Sequence, residues 1–198
     1  MKNNFVIVPA RGGSKGIKNK NLQKVFPNNE ASYILINYVL PKIQNNDLLQ
    51  LDIFSNYLAG SLSSVLFIIL RENKQLIYSV SSSIDYSIDG CIFSIYFHCK
   101  KSKKIIDKCL KIVNNIINKS IKDGIPLKEF KKFKNKVLLN YQDIKSSGSY
   151  KIDRFLEKYI FNINTLNYEK VIGSSTNKKL GKIIKNTFKN AKKYTIIT

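Results

Sequence analysis

Apolar residues along this chain follow two spacings. The two-residue period of a strand appears from Ser32 to Leu40, where Ile34, Ile36 and Tyr38 share one face and Leu35 and Val39 the other. It returns where Leu76, Tyr78, Val80, Ile84 and Tyr86 alternate with Ser79, Ser81, Ser83 and Asp85, predicting a half-buried strand. Asp89-Gly90 supplies a turn, and Cys91 to Cys99 reads as the antiparallel partner. Phe5-Val6-Ile7-Val8 is a shorter strand ended by Pro9, and Tyr194 to Ile197 a closing one.

Elsewhere the period lengthens to that of a helix. Leu51, Phe54, Tyr57 and Leu58 predict a helix over 48–58, with Asn46 and Asp47 as capping residues and Gly60 as the break. Ser61 is placed to cap a following helix, Leu62 to Arg71. That helix is apolar nearly all round and so is predicted to be buried on most sides. Arg71 falls at its C-terminal end, where a cation complements the helix dipole.

From Ser102 onward the helical period dominates. Ile105, Cys109, Ile112, Val113, Ile116 and Ile117 form one stripe, ended by Gly124, and Pro126 suits the first turn of the next helix. Leu127, Phe130, Phe133, Val137, Leu138 and Tyr141 continue the apolar face up to a break at Ser146–Ser149. Ile152, Phe155, Leu156 and Tyr159 belong to a third helix, Asn164 to Ile172 to a short one, and Leu180, Ile183, Ile184 and Phe188 to a last one. These elements predict an α+β domain of two layers: a mainly antiparallel sheet from the Ser32, Leu76, Cys91 and Tyr194 strands, packed against helices.

Composition narrows the class. With 198 residues and 43% hydrophobic content, the chain suits one globular domain of ordinary size. Its 34 basic and 13 acidic residues give a net charge of +21. Such a charge attracts nucleic acid, anionic lipid or acidic peptides; it also follows from a compositional bias, since Lys, Asn and Ile abound throughout and the lysines sit mainly on polar helix faces. No RNA-binding aromatic motif or zinc-finger spacing accompanies it. Cys91, Cys99 and Cys109 lack close metal spacing and read as small core residues in a reducing compartment. The apolar run at the N-terminus is too short for a signal-peptide core, and none approaches a membrane span; a cytoplasmic location is the expectation.

The candidate chemistry is sparse. A zincin site needs two histidines one turn apart with a glutamate beside them, and His98 is the single histidine, so H-x-x-E-H is excluded in this chain. Serines are plentiful, but His98 is the only histidine that could serve them as a base.

Two strings carry family resemblances. Asn56-Tyr57-Leu58-Ala59-Gly60-Ser61-Leu62-Ser63-Ser64, Leu66-Phe67, Leu70-Arg71-Glu72, Leu76 through Ser82, and the hairpin through Asp89-Gly90 and Phe93 resemble the C-terminal domain of the pitrilysin and mitochondrial-processing-peptidase metallopeptidases, the inverzincin family. The resemblance spans 22–198, with the domain set at 23–198. It implies that Arg71 and Tyr78, seven positions apart, hydrogen-bond a peptide substrate near its scissile carbonyl. They would do so from the half that lacks zinc, facing across a chamber a partner subunit or domain that bears H-x-x-E-H and the zinc. It implies no catalytic residue and no cofactor in this chain.

Val6-Ile7-Val8-Pro9-Ala10-Arg11-Gly12-Gly13-Ser14-Lys15-Gly16 and Lys18-Asn19-Lys20-Asn21-Leu22 look like the opening of the acylneuraminate cytidylyltransferases. There a strand feeds a glycine loop that holds a nucleotide triphosphate. That resemblance covers only 1–22. It implies nucleotide contacts at Arg11, Gly12, Gly13, Ser14, Lys15, Lys20 and Asn21, since glycines allow close backbone approach and cations offer charge. The expected function is therefore a non-catalytic, zinc-less peptidase half. The alternatives are a CTP-dependent sugar nucleotidyltransferase and a basic nucleic-acid-binding module.

Overall fold

The computed structural model of the chain describes residues 31–41, 43–87, 90–160 and 168–198. The expected Phe5–Val8 strand, the glycine loop after it, Asp89 of the turn and residues 164–167 lie outside the described residues.

Four strands form one antiparallel sheet: β1 (Ala31–Leu40), β2 (Ile77–Ser87), β3 (Gly90–Lys100) and β4 (Lys192–Ile197), in the order β2-β3-β1-β4. The helices are α1 (Asn45–Ala59), α2 (Lys103–Asp123), α3 (Leu127–Ile144), α4 (Gly148–Ile160), α5 (Tyr168–Gly173) and α6 (Asn177–Lys189), with a π-helical segment, Phe67–Asn73, between α1 and β2. The α+β reading and the four-strand sheet hold.

Strand periodicity explains the layering. Ile34, Ile36 and Tyr38 of β1 and Phe93, Ile95, Phe97 and Cys99 of β3 are buried beneath the helices, and the residues between them face the open side. Phe54 of α1, Phe93 of β3 and Phe188 of α6 meet with ring centroids 5.1–5.8 Å apart. Edge-to-face geometry suits the ring quadrupoles, and this trio joins three elements far apart in the chain. Gly124 ends α2 with φ +74°. Thr176 caps α6, its hydroxyl accepting from the Lys179 amide at 3.2 Å.

Three local expectations are corrected. The N-cap position of α1 is Gln44, without a side-chain cap bond, and Asp47 lies inside the first turn. Pro126 stands at the N-cap position of α3, one residue before its first turn. The Leu62–Arg71 stretch is not one α-helix buried on most sides. Residues 61–64 form a turn, helix begins at Val65 and widens to π geometry at Phe67; Leu66 and Leu70 are buried, while Leu62 and Ile68 are exposed. Burying the whole apolar circumference needs neighbours on all sides, and here the sheet and helices supply them on one.

Helix α4 meets the neighbouring helix α3 through Tyr150. Tyr150 packs edge-on against Tyr141 with centroids 5.6 Å apart, and the Arg154 guanidinium lies over the Tyr150 ring. Its apolar stripe of Ile152, Phe155, Leu156 and Tyr159 is left exposed.

The three cysteines are free thiols in the core. Burial pushes the Cys91 and Cys109 thiols up from 9.0 to about 12, and the Tyr38 phenol from 10.0 to about 12. In the unfolded chain these groups ionise near their ordinary values. Above about pH 9 the folded state therefore holds the extra protons, and the stability they contribute is lost as pH climbs toward 12. The melting temperature is expected to fall between pH 9 and 11. A Cys91→Ala/Cys109→Ala variant should show a shallower fall over the same range, and parallel slopes would contradict the assignment.

Candidate functional site

The geometry around Arg71 begins with Ser64. Its hydroxyl donates to the Ser61 carbonyl at 2.6 Å, and its own carbonyl accepts from the Ile68 amide, tying the turn to the helix that follows. Leu66 and Leu70 anchor the segment in the core. The wide turns end where the Leu76 amide reaches the Leu70 carbonyl at 2.8 Å and Gln75 adopts φ +50°, which swings the chain into β2. Segments of π-helix are rare and occur frequently at functional sites. Arg71 and Glu72 lie inside this one.

A second irregularity follows at once. Ile77 pairs with Cys99 and Ser79 with His98, so Tyr78 is the extra residue of a β-bulge. The alternation in sequence places Tyr78 on the same face as Val80. The bulge breaks that alternation and turns Tyr78 to the open face, 52% exposed. Its ring stacks on His98 with centroids 5.3 Å apart, while Ser79 Oγ is 3.0 Å from His98 Nδ1. Tyr33 and Tyr96 extend the aromatic row across the open face, Tyr33 stacking on His98 at 5.6 Å and on Tyr96 at 6.3 Å. The Ser79–His98 contact lies on that open surface and not in a cleft.

Arg71 and Tyr78 line one groove of about 530 Å³, together with Glu72, Leu76, Lys100 and Ile105. Arg71 is half-buried, and its Nη1 donates to the Ile77 carbonyl at 3.2 Å. That bond ties the guanidinium to the residue before the bulge, on the wall of the groove. The groove therefore presents a fork of donors and a phenol, which together can hold or polarise a carbonyl oxygen.

The sequence-predicted pair is thus brought together. Arg11, Gly12, Gly13, Ser14, Lys15, Lys20 and Asn21 lie outside the described residues. Sequence reasoning missed Lys100 as a lining residue and the aromatic row. Tyr33 lies opposite His98 in the β1–β3 register, and Tyr96 is two positions from His98 on the same face; the sequence alone assigned no pairing between those two strands, so the row was not visible in it. Among the described residues, His, Cys, Asp and Glu side chains form no group of three or more that could hold a metal ion. No described helix is long and apolar enough to cross a membrane.

Residues 8–137 match the family model described as the Peptidase M16 inactive domain. No curated protein matches the chain. Among solved structures, a protease from Helicobacter pylori aligns with a TM-score of 0.75 at 20% identity, over 85% of this chain and 41% of that one. The M16 inactive domain structure from Pseudomonas fluorescens aligns with a TM-score of 0.74 at 14% identity, over 85% and 41%. The periplasmic protease PqqL from Escherichia coli gives 0.69 at 17% identity, over 86% of this chain and 19% of that one. At such identities the likeness concerns the fold. The chain spans about two fifths of the length of the first two of these structures.

Proposed function

Because the chain belongs to the family of M16 inactive peptidase domains, we propose that it serves as the zinc-less half of a two-part peptidase. Arg71 and Tyr78 hold the substrate backbone in the groove, and the domain walls one side of the chamber. The chain's own residues do not fit a zincin centre, since it has one histidine. The metal and the bond-breaking chemistry belong to a partner subunit or domain bearing H-x-x-E-H. The carrying observation is the shared groove, with Arg71 Nη1 bound to the carbonyl of Ile77, the residue just before Tyr78.

The physical role is positioning. A peptide carbonyl that accepts from the guanidinium and the phenol is held in one orientation, and donors already in place strengthen as negative charge grows on that oxygen. The test reconstitutes the chain with a zinc-bearing M16 partner and follows cleavage of a quenched peptide. Removing the phenol hydroxyl with Tyr78→Phe should keep the stack on His98 and lower kcat about tenfold, the loss of one aimed donor. Unchanged kcat and KM would sink the role of Tyr78.

A further inference from the structure

We propose that this groove selects peptide segments bearing Asp or Glu side chains, a reading that rests on the groove being the peptide site. Its lining holds two cations, Arg71 and Lys100, against one acid, Glu72. Lys101, Lys103 and Lys104 follow Lys100 directly and are exposed, as is Lys74 before Gln75 of the lining. Ion pairs among the described residues, such as Lys132–Glu129, Lys145–Glu169 and Lys179–Asp47, lie elsewhere and do not neutralise these lysines. The acid next to them on α2 is Asp107, beyond the first turn.

The start of α2 sharpens the imbalance. Helices favour acids in the first turn because their amide dipoles point positive there. Lys103 and Lys104 begin this helix, its first turn has no acid, and Ser102 makes no side-chain cap bond. Each exposed cation contributes little alone, within a Debye length of about 8 Å at physiological salt. Gathered on one groove they sum to a field that draws carboxylates and repels basic segments. A carboxylate side chain beside the held carbonyl would meet Lys100 or the α2 amides.

The whole chain is basic, so the test must separate this groove from net charge. Labelled twelve-residue acidic, neutral and basic peptides are titrated with the full chain by fluorescence anisotropy at low and high salt. The acidic peptide should bind at least about tenfold tighter than the neutral one at low salt, with the advantage shrinking as salt rises. A Lys100→Ser/Lys103→Ser/Lys104→Ser variant should lose most of that advantage. A Lys178→Ser/Lys182→Ser/Lys185→Ser variant removes equal charge from α6, which packs along α2 and whose lysines line another groove with Lys122 at the far end of α2, about 30 Å away. It should stay within about twofold of the parent. Equal losses from both variants, or equal binding of acidic and neutral peptides, would overturn charge selection. If neutral-peptide binding still depends on Arg71 and Tyr78, only the selection fails. If no peptide's binding responds to Arg71→Ala or Tyr78→Phe, the peptide site fails with it.

Discussion

Arg71→Ala is expected to lower peptide turnover by the reconstituted pair about a hundredfold, the scale of losing a preorganised donor to a developing oxyanion. Arg71 does two things at once. One N–H holds the Ile77 carbonyl at 3.2 Å, beside the bulged Tyr78, and the side chain lines the groove. Alanine removes both, so kcat should fall more than KM rises. Arg71→Lys separates the parts. A lysine keeps the charge but cannot bond Ile77 and reach the substrate as a planar fork, so it should recover less than about a tenth of the lost rate. The fold should tolerate alanine, since one half-exposed hydrogen bond is worth about 1 kcal/mol. Circular dichroism and the melting temperature would verify that. Turnover unchanged in Arg71→Ala would remove the arginine from the mechanism.

The largest expected stability effect lies in the core. Phe54 is fully buried and its ring meets Phe93 at 5.8 Å, Phe188 at 5.4 Å and Tyr57 at 6.3 Å. Phe54→Ala leaves a cavity where α1, β3 and α6 converge and should cost about 3–5 kcal/mol. For a domain of this size that lowers the melting temperature by roughly 10 °C. Phe155→Ala is the matched control: Phe155 is 58% exposed on α4, and its removal should change stability by less than about 0.5 kcal/mol. Equal shifts for the two variants would mean that the aromatic trio does not hold the layers together.

Most of the sheet was legible because one of its faces is buried. Strict alternation in β1 and β3 assigns Ile34, Ile36, Phe93, Ile95 and Phe97 to the helix side, and a one-residue slip would expose them all. The helices announced themselves by stripes at helical spacing, as with Val113 and Ile117 of α2. Legibility failed where periodicity is broken on purpose. Tyr78 reads as inward-facing because alternation carries no mark of a bulge, and the bulge is set by pairing with β3. The π-helical turns over Phe67–Asn73 have the composition of an ordinary apolar helix. The widening lies in the backbone bonding of the segment, not in its residue types. The α4 stripe was visible as a stripe, but sequence spacing cannot say which side of a helix meets the body. The pairing of Arg71 with Tyr78 was legible through family resemblance, and their convergence on one groove depends on both irregularities.

The strand order has a temporal consequence. The β2–β3 hairpin closes between neighbours in the chain and can form early, with β1 free to join β3, whereas the other edge of β1 waits for β4. Ile34 pairs with Ile197, roughly 160 positions later, so the sheet is completed only when the last strand arrives. During synthesis on the ribosome, the β4-side edge of β1 stays open until every helix has been made. Pulse proteolysis of stalled nascent chains should find the β2–β3 hairpin protected well before β4 closes the outer edge of β1.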